Sequence, residues 1–426
     1  MRRLPTRPRR GDALEWVIVG GGIHGVCLAN HVLSASEFTH DDVRIVDPHE
    51  DLLASFESKA RACGMESLRS TFVHHIGTDP FSLASFAEGR ERTGELVDTE
   101  DYPARPTLDL FLDHARWVID RNGLADCHHR ASVRDLREGE HTLTVETTEG
   151  TLEARRVVLA VGLGSGPKYP AWADSLIDHP ALTHVWDGEF DPMGDSQSPR
   201  TVVVGGGITA AQVACRLAKS SDVTLLSRHE IETATPEADP HWINWPHIEE
   251  HLHTLPPGSA TRRDRVRAAR NDATIPPHVK RRLTDAQERG QLDVRRGEIS
   301  CACPDDDGLL LRLADGRTIS NARVVLATGL DSVSETPLVE RVAEGLSLER
   351  GVDGYPVLDD ETLAWRRRDG SDSNLFVSGA LAELTVGPLA RNIVGARRVA
   401  QRLTGVGTEQ HGQQSGSKRA VPSQSS

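Results

Sequence analysis

Val17-Ile-Val-Gly-Gly-Gly-Ile-His-Gly25 and Val202-Val-Val-Gly-Gly-Gly-Ile-Thr-Ala210 are two versions of the same nine-residue pattern in one chain. Each reads as an apolar strand, a triple glycine and the start of a helix-period stretch, Val26 to Leu33 and Ala211 to Leu217. A second strand follows each: Asp42-Val-Arg-Ile-Val-Asp47, and Asp222-Val-Thr-Leu-Leu-Ser227. A later pair also matches, Arg156-Val-Val-Leu-Ala-Val-Gly-Leu163 and Arg323-Val-Val-Leu-Ala-Thr-Gly-Leu330. Both follow alternating segments that read as hairpins, His141 to Glu153 and Leu309 to Ile319. A unit repeated in this way predicts an α/β fold of two Rossmann-like three-layer domains.

The last strand of the first sheet is expected from far along the chain, at Asn374-Leu-Phe-Val-Ser-Gly379. A helix should then start at Pro388, a favoured first-turn residue, and run to about Leu403. The second domain is therefore inserted in the first. The expected boundaries are a flexible arm at 1–12, a first domain at 13–197 and 325–404, and a second at 198–324. The polar stretch 405–426 reads as a disordered tail. Two inserts fall outside the repeat, one between Asp47 and Arg130 and one at 233–288, the latter read as a lid.

The 426 residues carry 63 acidic and 49 basic side chains, a net charge of -14. Such a surface disfavours nucleic acid and anionic membranes as partners. Only five of the basic residues are lysines, a composition that resembles salt-adapted, halophilic or GC-rich organisms. Six scattered cysteines without a C-x-x-C pair fit a reducing cytoplasm and exclude a zinc ribbon. No apolar run reaches the ~18 residues of a membrane span, and the basic N-terminus lacks the apolar core of a signal peptide.

In the first loop Gly20 permits a tight turn, Gly22 lets backbone approach a pyrophosphate, and Gly25 lets the helix sit close to the strand. The helix N-terminus then presents free N–H groups to phosphate. Asp47, 22 residues past Gly25, suits a ribose diol. The second loop is Gly205, Gly207 and Ala210, and its strand ends in Ser227 followed by Arg228. Loss of the carboxylate and gain of a guanidinium favour a 2′-phosphate, hence NADPH over NADH. The alternative for Arg228 is a solvated surface charge.

In combination these motifs resemble the flavoproteins with two dinucleotide-binding domains, over residues 14 to about 403. The resemblance implies FAD in the first site and NADPH in the second. Gly329 of Ala-Thr-Gly and its counterpart Gly162 match the short strand-end signature of that group. Ser378-Gly379-Ala380, then Gly387-Pro388, resembles its C-terminal flavin motif, with Ala380 where many members carry Asp. A disulfide reductase would need a redox pair, and Cys301-Ala-Cys303 reads as incidental.

The inserts resemble those of the lysine and ornithine N-hydroxylating flavin monooxygenases. The matching segments are Leu68-Arg-Ser-Thr-Phe-Val-His-His-Ile76, Tyr102-Pro-Ala-Arg-Pro-Thr-Leu-Asp-Leu-Phe111 leading to Trp117, and His241-Trp-Ile-Asn244 with Leu255-Pro256 and Asn271. The resemblance places Arg69, His74, His75, Asn244 and Asn271 beside flavin or substrate. His74 stands where the family has the Lys that holds the amino-acid carboxylate, and Arg69 where it has Gln. The Tyr after the second Asn is missing, as Asp272 and Ala273 follow Asn271. Arg69, His74 and His75 could form a cationic patch for an acidic substrate; the other reading is a pair of hydrogen-bonded histidines at a helix start. The group His241, His247, His251 and His253 reads as a polar lid and no metal is expected. Trp242 and Trp245 read as packing.

The expected activity is an FAD-dependent NADPH oxidoreductase of the N-hydroxylating monooxygenase type, using dioxygen and a small molecule that is neither plain ornithine nor lysine. The alternatives are a reductase that passes electrons to another acceptor and a non-catalytic flavin-binding redox sensor. Oligomeric state has no sequence signal here.

Overall fold

Each echoed stretch forms a strand that runs straight into a helix. The first copy gives β1 (Leu14–Val19), α1 (Ile23–Ala35) and β2 (Val43–Asp47), then β3 (His128–Arg130) and β4 (Gly150–Leu159). A short β5 (Leu182–His184) precedes the second copy, β6 (Arg200–Val204), α2 (Ile208–Leu217), β7 (Val223–Ser227), α3 (Pro277–Glu288), β8 (Leu292–Arg296) and β9 (Thr318–Leu326). The chain returns through β10 (Asp372–Val377) and α4 (Ile393–Gly416). This computed structural model describes residues 13–416, except 36–37, 100–101, 165, 189 and 191–199.

The two parallel sheets have the same order. The first runs β10-β4-β1-β2-β3 and the second β5-β9-β6-β7-β8. Each carries an antiparallel hairpin extension on its β4 or β9 strand. The central strands are apolar on both faces: Val17, Ile18, Val157 and Val158 have no exposed surface, nor do Val202, Val203, Val324 and Val325. That is the pattern of parallel strands covered by helices. α1 packs against α4 beside the first sheet, and α2 against α3 beside the second.

Four expectations need correction. First, the chain enters the second sheet before the expected boundary at 197/198. β5 pairs with β9, and Ala173, Leu176 and Leu182 join the second core. Second, α3 is no part of a lid. Val279, Leu283 and Ala286 are buried in the second core, so α3 is that domain's own crossover helix. Third, α4 starts at Ile393 and not at Pro388. Residues 387–390 form a turn closed by Ala390 N–H to the Gly387 carbonyl at 3.0 Å. A side chain at Gly395, in the first turn of α4, would lie 2.4 Å from the Ala390 carbonyl, so the preceding turn can pack this closely on the helix only at a glycine. Fourth, α4 continues to Gly416, beyond residue 405 where the tail was expected. The expected arm at 1–12 and residues 417–426 lie outside the described residues.

The rest of the second insert leaves its own domain. Ala238, Trp242, Ile248, Leu252 and Val266 are buried in the first core, against the segment after β10. Arg262, fully buried on helix Ala260–Ala269, anchors it. Its guanidinium donates to both Asp360 oxygens at 2.7 Å, and to the carbonyls of Leu255 and Leu384. Every N–H is aimed at an acceptor, which is the condition for a buried cation to be tolerated.

We predict that Arg262→Leu strands the Asp360 carboxylate and costs about 3–5 kcal/mol. Denaturant unfolding should show this loss, with new protease sensitivity at 240–270. A loss within error would mean that the insert is held by its apolar face alone.

Candidate functional site

At the first loop, the glycines are required by geometry. Gly20 has φ +113°, and a Cβ there would meet the Ala160 carbonyl at 2.4 Å. At Gly25 a Cβ would lie 1.8 Å from the Gly20 carbonyl. At Gly22 it would meet nothing within 4 Å. So two glycines close the turn and the third leaves bare backbone facing open space at the start of α1. Gly162, at the end of β4, has φ +91° and open space too. Asp47 is nearly buried: one oxygen accepts from Gly21 N–H at 2.7 Å, the other from His49 N–H at 2.9 Å. The His49 ring Nδ1 also lies 2.7 Å from the second of these oxygens. These residues fit the diphosphate and ribose of a dinucleotide.

The second loop repeats the geometry. Gly205 has φ +154°, with the Ala327 carbonyl 2.5 Å and the Ala210 Cβ 2.9 Å from where its Cβ would be. Gly207 is open. Where Asp47 holds the first loop, Ser227 hydrogen-bonds the His229 carbonyl at 2.8 Å. Arg228 is exposed and lines a cavity of about 860 Å³ with Gly205, Gly207, Thr328 and Gly329. That volume accommodates a dinucleotide. Gly329 has φ +91° and open space.

The cavity extends to the second insert, where Arg69 and Asn271 form its far wall. A smaller cavity of about 290 Å³ lies behind that wall and shares Arg69 and Glu237 with it. His74, Arg105, Leu389 and Asn392 also line it. The first turn of α4 opens onto this cavity through Asn392 and Val394.

The expected residues divide sharply. Arg69 lies between the two cavities, and its Nε and Nη2 donate to the carbonyls of Ala234, Thr235 and Pro236 and the Thr274 hydroxyl, at 2.8–3.0 Å. It ties the first insert to the second. Asn271 reaches the wall and donates to the Pro236 carbonyl at 3.1 Å. Asn244 is exposed and lines neither cavity.

The cationic histidine patch does not form. His75 is fully buried; its Nδ1 accepts from Gly77 N–H at 3.0 Å and its Nε2 meets the Pro80 carbonyl at 3.2 Å. Burial, then nearby Arg397, pushes it down to about 4, partly offset by the Pro80 carbonyl. Burial beside Arg397 and Arg398 does the same to His74. Both are neutral at pH 7. Nor do they start a helix, since the next one begins at Ser82.

Gly379 has φ +78° and Gly387 φ +88°, the latter packed on Trp242. Pro388 lies in the turn before α4. Trp242 is buried, as the packing reading had it. His247 and His251 stack at 4.0 Å. Among the described residues no three His, Cys, Asp or Glu side chains are grouped to hold a metal. Cys301 and Cys303 are exposed on the outermost strand of the second sheet.

Sequence reasoning missed three residues. His24, inside the first loop, reaches across to the Ser378 hydroxyl at 2.8 Å and joins that loop to the end of β10. Burial, opposed by the Arg391 backbone, pushes it down to about 4. Its place between Gly22 and Gly25 was a signal. Glu383 is buried and takes a bidentate pair from Arg391 at 2.6 and 3.0 Å. Arg105, 4% exposed, donates to His278 Nδ1 at 2.7 Å. The Pro-Ala-Arg-Pro segment had marked its surroundings but not the residue.

Residues 17–164 match the model of a family described as FAD-NAD(P)-binding. Over 127 residues the chain is 28% identical to an uncharacterized CzcO-like oxidoreductase of Geobacillus kaustophilus, covering 30% of this chain. The match spans about a third of that relative's length (36%). Among solved structures, an ornithine N-hydroxylase of Kutzneria sp. 744 has a TM-score of 0.74 at 17% identity, over 94% of this chain and 100% of that one. The L-lysine 6-monooxygenase of Pseudomonas syringae has a TM-score of 0.72 at 20% identity, over 93% and 99%. The chain thus has the fold of FAD- and NAD(P)-binding flavoproteins with two dinucleotide domains.

Proposed function

We propose that the protein is an FAD-dependent NADPH oxidoreductase, a flavin monooxygenase of the N-hydroxylating type acting on a small molecule. The observation that carries this is the pair of open glycine cradles on one chain, with a smaller, mostly apolar cavity that shares Arg69 and Glu237 with the second site. FAD belongs at Gly20, Gly22, Gly25, Asp47 and Gly162, and NADPH at Gly205, Gly207, Arg228 and Gly329. The flavin would supply the redox chemistry, taking a hydride from NADPH and passing electrons to dioxygen.

The chain's own part is to bind, orient and exclude water. Gly22 and the α1 N-terminus offer amides to the diphosphate. His24 and Ser378 hold the first loop to the end of β10. The second insert, fixed by Arg262, lines one side of the small cavity through Pro236, Ala238, Pro240 and Ile243. Two inserts that line a cavity beside the second site support the monooxygenase reading over a reductase that serves a protein acceptor, which needs an exposed flavin edge. Two intact loops support an enzyme over a sensor. Among the described residues no helix is long and apolar enough to cross a membrane, and a cytoplasmic location fits the free cysteines.

The purified protein should be yellow, bleach on anaerobic NADPH addition, and regain colour slowly in air through an oxygenated flavin spectrum. Absence of bleaching overturns the oxidoreductase reading, and immediate reoxidation with every candidate substrate points to a reductase. Because Gly22 faces open space, Gly22→Leu should fold, by circular dichroism, yet purify colourless. A fully loaded yellow variant contradicts the FAD assignment. Arg228→Ala should weaken NADPH binding roughly tenfold or more, the worth of a charge-assisted hydrogen bond, and leave NADH nearly unchanged. Equal losses for both would show that Arg228 is a solvated charge.

A further inference from the structure

The small cavity has an unbalanced charge. Its walls are mostly apolar, with Val73, Pro103, Ile243, Leu389 and Val394 among them. The charged residues that line it are Arg69, Arg105 and Glu237. His74 is neutral there. Arg69 already has four oxygen acceptors, and Glu237 is near enough to oppose its charge. Arg105 is left over. Its side chain has one hydrogen-bond partner among the described residues, the Nδ1 of His278, which is an uncharged acceptor. No carboxylate among the described residues pairs with it, and its charged neighbours are Arg281 and Arg69.

A cation 4% exposed, without a counter-ion and beside other cations, is costly unless something anionic completes it. A guanidinium has five N–H groups in a planar fork, and one bond to His278 leaves the rest unused. A carboxylate accepts two of them in parallel. We propose that the small cavity takes an organic anion, an apolar body bearing a carboxylate that seats on Arg105. At about 290 Å³ the cavity has the volume of roughly ten waters, which suits a compact acid. The assignment names the substrate class for the site given above and rests on that site being the substrate pocket.

The test is calorimetric titration with three probes of similar size, phenylacetate, its isostere phenylacetamide, and phenethylamine, on wild type, Arg105→Gln and Arg105→Lys. In wild type, phenylacetate should bind at least about tenfold tighter than the amide, and the amine most weakly. Arg105→Gln should bring acid and amide level, while Arg105→Lys keeps part of the preference. Equal affinities in wild type, or preference for the amine, overturn the proposal even if the variants fail to fold. A preference that survives Arg105→Gln overturns the seat on Arg105. Flavin absorbance and NADPH bleaching are read on the same samples. Colourless protein that still prefers the acid supports the anion site and defeats the oxidoreductase reading, whereas yellow, bleachable protein without the preference does the reverse.

Discussion

At Gly25 the backbone of a helix lies so close to the Gly20 carbonyl that a single methyl group would sit 1.8 Å from it. The rest of the structure depends on that contact. It brings the positive end of α1 to the C-terminal edge of the first sheet, where an anion can be held without any basic side chain. The second loop makes the looser version, with the Ala210 methyl 2.9 Å from the Cβ position of Gly205. A sheet edge with a helix end pressed against it is a binding site before any insert is added. The inserts decide what else may reach it.

They do so by crossing over. The segment from Ala238 to Val266 belongs to the second unit by connectivity and to the first by packing. Arg262 fixes it through Asp360 and two carbonyls, and Arg69 ties the first insert to it by four hydrogen bonds. Arginine suits both positions because a planar fork can satisfy several carbonyls at once while its charge stays out of water. The wall between the two cavities is thus held by a cation whose hydrogen bonds go to the fold, which leaves Arg105 as the polar feature of the smaller cavity.

The parallel strands and glycine loops were legible in the sequence because period, spacing and backbone freedom are local properties. The inserts were less so. α3 was taken into the lid because 233–288 falls outside the repeated pattern, although the prolines Pro276 and Pro277 are favoured at a helix start. The start of α4 was placed five residues early for the same rule, since only the packing of Gly395 on Ala390 decides between Pro388 and Ile393. Arg69 and the two histidines were visible as basic residues. Sequence could not show that the arginine's hydrogen bonds go to carbonyls or that burial keeps the histidines neutral. A buried charge is defined by what surrounds it, and its surroundings come from distant parts of the chain.

The segments 166–168 and 328–331, which follow β4 and β9, bind each other. Lys168 N–H meets the Gly329 carbonyl at 3.1 Å, Asp331 N–H meets the Gly166 carbonyl at 3.0 Å, and the Thr328 hydroxyl donates to the Lys168 carbonyl. This arrangement sets an order of assembly during synthesis. β4 leaves the ribosome long before β10, the neighbour that completes its side of the sheet, so the first domain waits with an open strand edge. The inserted domain has all its strands by Leu326, so its sheet can close before β10 is made. Its closure brings the two segments together and so shortens the loop that β10 must close. Connectivity of this kind lets the inner unit of the chain close ahead of the outer one, against the ordinary N-to-C order.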